Sequence, residues 1–95
     1  MDITEVIFRK FSDNQVCAFF PYEIADRSGN ISSYMHVGQH SGASFDCLVS
    51  TTKLANEIEY GPLKTELESI GYNLKIISKR NHNKYLSALE MSKQD

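Results

Sequence analysis

Val16-Cys17-Ala18-Phe19-Phe20 is the longest uninterrupted apolar run in the chain, and it limits the fold more than any other segment. A run of five falls far short of the roughly 20 apolar residues that a membrane helix needs. Followed by Pro21 and continued to Ile24, the stretch is apolar on both faces until the proline and reads as a strand. Ile3 to Phe11, rich in Ile, Val and Phe and free of Gly and Pro, reads as a strand before it. Ser12-Asp13-Asn14-Gln15 is the turn that joins them, because Asp and Asn bond their own backbone and tolerate positive φ. The result is a hairpin.

The third strand is predicted over Ile31 to Val37, after a turn at Asp26-Arg27-Ser28-Gly29-Asn30. Ile31, Ser33, Met35 and Val37 share one face, and Ser32, Tyr34 and His36 the other. Gly38 to Ser44 is polar and glycine-containing and reads as a loop, and Phe45 to Thr52 as a short helical turn. Asn56 is suited to cap a helix from Glu57, with Glu59 in its first turn. Gly61-Pro62 interrupts that helix or restarts it. Leu63, Leu67 and Ile70 then form one apolar stripe, and Gly71 ends it. Tyr72 to Lys79 is the fourth strand, with Leu74 and Ile76 inward. Asn81 or Asn83 caps a last helix to about Ser92, with Tyr85, Leu86 and Leu89 as its apolar face.

The order β-β-β-α-β-α predicts an α+β domain spanning residues 1–95. Its sheet has four strands, mostly antiparallel, in spatial order 3-2-1-4 with the fourth parallel to the first, and it packs with two helices. This order leaves 31–37 at an edge that carries no Lys, Glu or Pro, so self-association or an added partner strand is expected there, the alternative being that Gly38 to Ser44 folds back partway to cover it.

With 95 residues there is room for one core, and 41% hydrophobic with 23% charged residues is globular composition. The N-terminus shows no basic region followed by an apolar stretch, so no signal peptide is expected. Cys17 and Cys47 are isolated from each other, which fits neither a zinc ribbon nor a redox pair and predicts free thiols in a reducing, cytoplasmic setting.

The formal net charge of -2 is not that of a dedicated duplex-DNA binder. The distribution is uneven, with four basic and eight acidic side chains in residues 1–60 and six basic and four acidic in 61–95. Lys75, Lys79, Arg80 and Lys84 lie in a stretch without acids. With Tyr85 they form a candidate phosphate site suited to single-stranded nucleic acid, since an aromatic ring can stack on a base. As a plain solvated face they would need no ligand.

The densest polar constellation is Ser32-Ser33-Tyr34-Met35-His36-Val37-Gly38-Gln39-His40. Tyr34, His36, Gln39 and His40 are its candidate binding residues, with a half-buried Tyr34 and a loop-capping His40 as the purely structural alternative. His36, His40 and Asp46 would converge on a metal only if the loop folded back, and neither H-E-x-x-H nor a phosphate loop is present. No metal, cofactor or catalytic residue is assigned. Glu57, Glu59, Glu66 and Glu68 read as a solvated helical face.

Thr4 to Lys10, Ala18 to Pro21, Ser32 to His40, Gly71 to Ile77 and Lys79-Arg80-Asn81 together resemble a group of small uncharacterised proteins of Bacteroidetes gut bacteria, their mobile elements and phages. The string Ser32 to His40 is the most specific, and Gly61-Pro62 departs from the uninterrupted helix expected there. The resemblance implies an intracellular accessory role and carries over no catalytic residue. The sequence reading is therefore a non-enzymatic accessory or regulatory domain that binds a macromolecule. A single-stranded nucleic-acid module is the second reading, and a metal-dependent phosphodiester-cleaving enzyme the third.

Overall fold

The computed structural model describes residues 3–25, 29–35, 39–43 and 49–92, with 39–43 as backbone. Strands β1 (Thr4–Phe11) and β2 (Val16–Ile24) form the expected hairpin, with Ile7 opposite Phe19 and Arg9 opposite Cys17. Asn14 takes the positive φ of 71° that the turn requires, and its N–H donates to Phe11 O at 2.9 Å. β3 (Ile31–Met35) pairs antiparallel with β2, and the register shifts between Phe20 and Ile24. Pro21 lies in that irregularity, where a residue without an N–H disturbs the ladder least.

Beyond β3 the sequence expectation needs correction. Gln39–Ala43 is not a loop but strand β4, antiparallel to β3 with Tyr34 opposite His40 and Ser32 opposite Gly42. β3 is therefore interior, and the edge that 31–37 was expected to offer a second copy is already paired within the chain. A polar segment that returns directly after a strand can supply the missing ladder bonds whatever its side chains, because the backbone provides them. Residues 49–51 are helical as expected, but Thr52–Leu54 is a further strand, β5.

Helix α1 (Glu57–Ser69) and strand β6 (Leu74–Ile76) follow, and helix α2 (His82–Ser92) closes the described chain. Asn56 caps α1 in a reciprocal box: its side chain accepts from Glu59 N, and Glu59 Oε1 accepts from Asn56 N, both at 2.9 Å. The helix runs without a break through Gly61 and Pro62, so the expected interruption does not occur. Gly71, at φ 113°, ends it, with Tyr72 N donating to Leu67 O and Gly71 N to Glu68 O, each at 3.2 Å. Leu63 and Leu67 are buried, but Ile70 is exposed, because the chain turns away at that point. Asn81 is the residue that caps α2, accepting from Lys84 N at 3.0 Å.

The mixed sheet runs β4-β3-β2-β1, and the outer side of β1 is divided between two short strands. β6 lies parallel to its first half, with Val6 opposite Ile76, which gives the expected 3-2-1-4 order for the principal strands. β5 lies antiparallel to its second half, with Arg9 opposite Leu54. Each face of the sheet carries a core. Val6, Phe8, Ala18, Phe20 and Tyr34 pack under Leu63 and Leu67 of α1. Cys17, Phe19 and Ile31 pack on the other face with Tyr85 of α2. A two-sided apolar β2 calls for this double cover. Leu86, expected in the apolar face of α2, is exposed, as is Ile76 in part.

Gly29 and Gly61 place different demands on an added side chain. Gly29 has φ 86°, and a Cβ there would sit 2.6 Å from the Tyr85 hydroxyl, whereas a Cβ on Gly61 would meet no other element of the fold within 4 Å. Gly29→Ala is expected to lower the unfolding free energy by about 2 kcal/mol through backbone strain and the clash. Gly61→Ala is expected to change it by less than about 0.5 kcal/mol, because the helix-propensity gain is offset by the crowding that Pro62 imposes on a preceding Cβ in helical conformation. Urea unfolding of both variants checks the contrast.

Burial pushes the Cys17 thiol up to about 12. Because the folded state keeps this proton longer than the unfolded chain, stability from this group is intact below about pH 8.5 and declines as pH rises toward 12. The slope approaches about 1.4 kcal/mol per pH unit between those limits. Unfolding measured from pH 8 to 11 should show a shallower decline in Cys17→Ala than in the parent.

Candidate functional site

β5 and β6 approach each other along the same edge of β1. β5 runs from beside Phe11 to beside Arg9, and β6 from beside Thr4 to beside Val6, so their C-terminal ends meet near the middle of β1. The last bonds on each side are Ala55 N to Phe8 O at 3.0 Å and Ile77 N to Val6 O at 2.9 Å. From there the chain leaves in opposite directions. Ala55 leads to α1 over one face, and Ile77 to Arg80 lead to α2 over the other. A crevice lies where the two strand ends meet and the chain diverges.

The crevice measures about 480 Å³ and is lined by Phe8, Leu54, Ala55, Tyr60, Ile76, Ile77, Ser78 and Lys79. Its floor is rigid: Phe8 is 2% exposed and stacks on Tyr60 with ring centroids 4.6 Å apart and planes 12° from parallel. Its rim is apolar and open, with Leu54 50% and Ile76 39% exposed. Lys79 supplies a charge at the rim and makes no ion pair among the described residues. The nearby N-terminus of α1 is closed to anions, because Asn56 and Glu59 already cap it and Lys10 pairs with Glu59. Those contacts also hold the Glu59 carboxyl below its usual range, the Asn56 N–H contributing most.

The residues singled out in 32–40 do not gather into a described surface. Tyr34 is 3% exposed, packs in the core under α1 and donates its hydroxyl proton to Glu66. It is not an accessible binding group, and Glu66 is not part of a purely solvated face. Glu68 is surface-exposed and lies near Lys64 at 3.4 Å. His36 and Asp46 lie outside the described residues, as do the side chains of Gln39 and His40. Backbone register sets His40 opposite Tyr34 and Gln39 opposite Met35. Among the described residues no three His, Cys, Asp or Glu side chains are grouped as metal ligands.

The basic segment is dispersed by the fold. Lys79 reaches the crevice, while Lys75 lies opposite Glu5 in the sheet. Lys84 pairs with Glu5 and stands 4.6 Å above the Tyr22 ring. The Glu5 contact raises the Lys84 ammonium above its usual range. Glu5 thus enters a stretch that is free of acid in sequence. Arg80 covers the Tyr85 ring at 3.9 Å, and the Tyr85 hydroxyl donates to Gly29 O at 2.7 Å. That ring anchors α2 to the 29–31 segment instead of presenting a free face to a base.

Sequence reasoning missed the crevice because its lining comes from β1, β5, α1 and β6, and β5 is three residues long. The signal available was Leu54 next to Ala55 just before the Asn56 cap.

Tyr34→Phe tests the packing role assigned to Tyr34. It deletes one hydroxyl, leaves the ring, and deprives Glu66 of a donor. The expected cost is about 1–2 kcal/mol in urea unfolding with an unchanged denaturant slope. No protein family, curated protein or solved structure matches the chain.

Proposed function

We propose that this protein is a small non-enzymatic accessory domain that binds a protein partner at the crevice between β5 and β6. The observation that carries the reading is the combination of a fixed aromatic floor with an open aliphatic rim at a chain-divergence point. Small-molecule pockets bury most of their ligand's surface, whereas this cleft leaves Leu54 and Ile76 in contact with solvent. An open apolar rim suits a partner that brings its own surface to cover it.

The second reading, single-stranded nucleic acid, has less support. Tyr85 is covered by Arg80, Tyr22 by Lys84, and Phe8 by Tyr60, so the rings near the basic residues are already engaged. A cytoplasmic location belongs to the same proposal: the free, buried Cys17 fits a reducing compartment. So does an origin in the Bacteroidetes and phage group that the sequence resembles.

Site-specific photo-crosslinking tests the site. The crosslinking residue p-benzoylphenylalanine is placed at Leu54 in one sample and at Met91, exposed on α2, in another, both expressed in source cells. A discrete protein adduct from position 54 and not from position 91 is expected. Equal labelling from both positions, or none from position 54, overturns the reading.

A further inference from the structure

We infer that the crevice takes an acidic–hydrophobic peptide: an extended segment with an aromatic or branched aliphatic side chain and an Asp or Glu beside it. This rests on the crevice being the protein-binding site and adds the chemistry of the occupant.

Two features of the crevice lead there. The floor and rim are apolar over Phe8, Leu54, Ala55, Tyr60, Ile76 and Ile77, and a cleft of about 480 Å³ holds one or two large side chains. The charge around it is one-sided. Lys79 lines the crevice, whereas Lys53 and Lys75, each one residue before Leu54 and Ile76 in its strand, point to the opposite face from them. Lys79 is exposed and makes no ion pair among the described residues. The acid in the neighbourhood, Glu59, is occupied by Lys10 and by the Asn56 N–H. An incoming carboxylate therefore meets the Lys79 ammonium, whose charge is not yet offset, and an incoming lysine meets repulsion. Rim charges of this kind favour encounter and select sign more than they add affinity. The apolar side chain supplies most of the binding, and Lys79 selects which apolar segments are accepted.

The test is selection of a random dodecapeptide phage library on the full chain, with counter-selection on the Leu54→Asp/Ile76→Asp variant. Both replaced side chains are partly exposed, and circular dichroism with a urea midpoint verifies that the variant folds. Enriched peptides are expected to carry Phe, Leu, Ile or Val within two positions of Asp or Glu. Their affinity should fall about tenfold in Lys79→Glu and should weaken from 50 to 300 mM salt.

Enrichment of neutral or basic peptides that still discriminate against the Leu54/Ile76 variant would overturn the acidic chemistry and leave the crevice standing as a peptide site. Peptides that bind parent and variant alike, or no enrichment, would overturn both. A single-stranded RNA dodecamer is run in parallel. Tighter binding of that RNA than of any selected peptide, lost in Lys79→Glu, would replace the peptide by nucleic acid.

Discussion

The hydrogen-bonding edge of β1 is the constraint on which the remaining structure rests. One side of that strand is filled by β2, and the other is too long for either β5 or β6 alone, each of which has three residues. Buried backbone groups must find partners, so the edge is completed by two segments from distant parts of the chain. Arg9 reinforces one of them, donating from Nε to Thr52 Oγ1 at 2.6 Å and from a terminal nitrogen to Thr52 O at 2.7 Å. Since one segment arrives antiparallel and the other parallel, they meet end to end, and the crevice is the consequence of that meeting.

The two faces of the sheet are held differently. α1 contributes buried leucines and a complete set of caps, so its attachment is mainly apolar. α2 buries no residue fully and is fixed by named polar and aromatic contacts: Asn81 N to Tyr22 OH at 2.8 Å, Tyr85 OH to Gly29 O, Lys84 to Glu5, and Arg80 over Tyr85. Exposed ion pairs contribute little, so Tyr85 with Gly29 is the firmest of these attachments. The residues that looked like a phosphate site in sequence are largely spent on attaching this helix.

The hairpin, its turn at Asn14, the Asn56 cap and the Gly71 terminator were legible because each depends on residues a few positions apart. The parallel neighbour of β1 was legible from the β-β-β-α-β order and the geometry of crossovers. β4 was not, since a sequence such as Gln39-His40-Ser41-Gly42-Ala43 has no apolar alternation, and its strand character comes from backbone pairing with β3. Nor was the continuity of α1 through Pro62. Proline there removes one bond to the Ile58 carbonyl, while the complete N-terminal box and the packing of Leu63 and Leu67 hold the helix together.

The sequence by itself determined the apolar, two-sided β2, the turn and cap residues, and therefore an α+β domain of one sheet and two principal helices. Those features follow from local propensity and from the burial that an apolar run demands. Tertiary structure alone decided that Tyr34 is core, that Glu5 interrupts the basic stretch, and that Phe8, Leu54, Ile76 and Lys79 share one crevice. Each of these joins residues more than thirty positions apart, and whether such residues meet is fixed by strand direction and register, which no short stretch of sequence encodes.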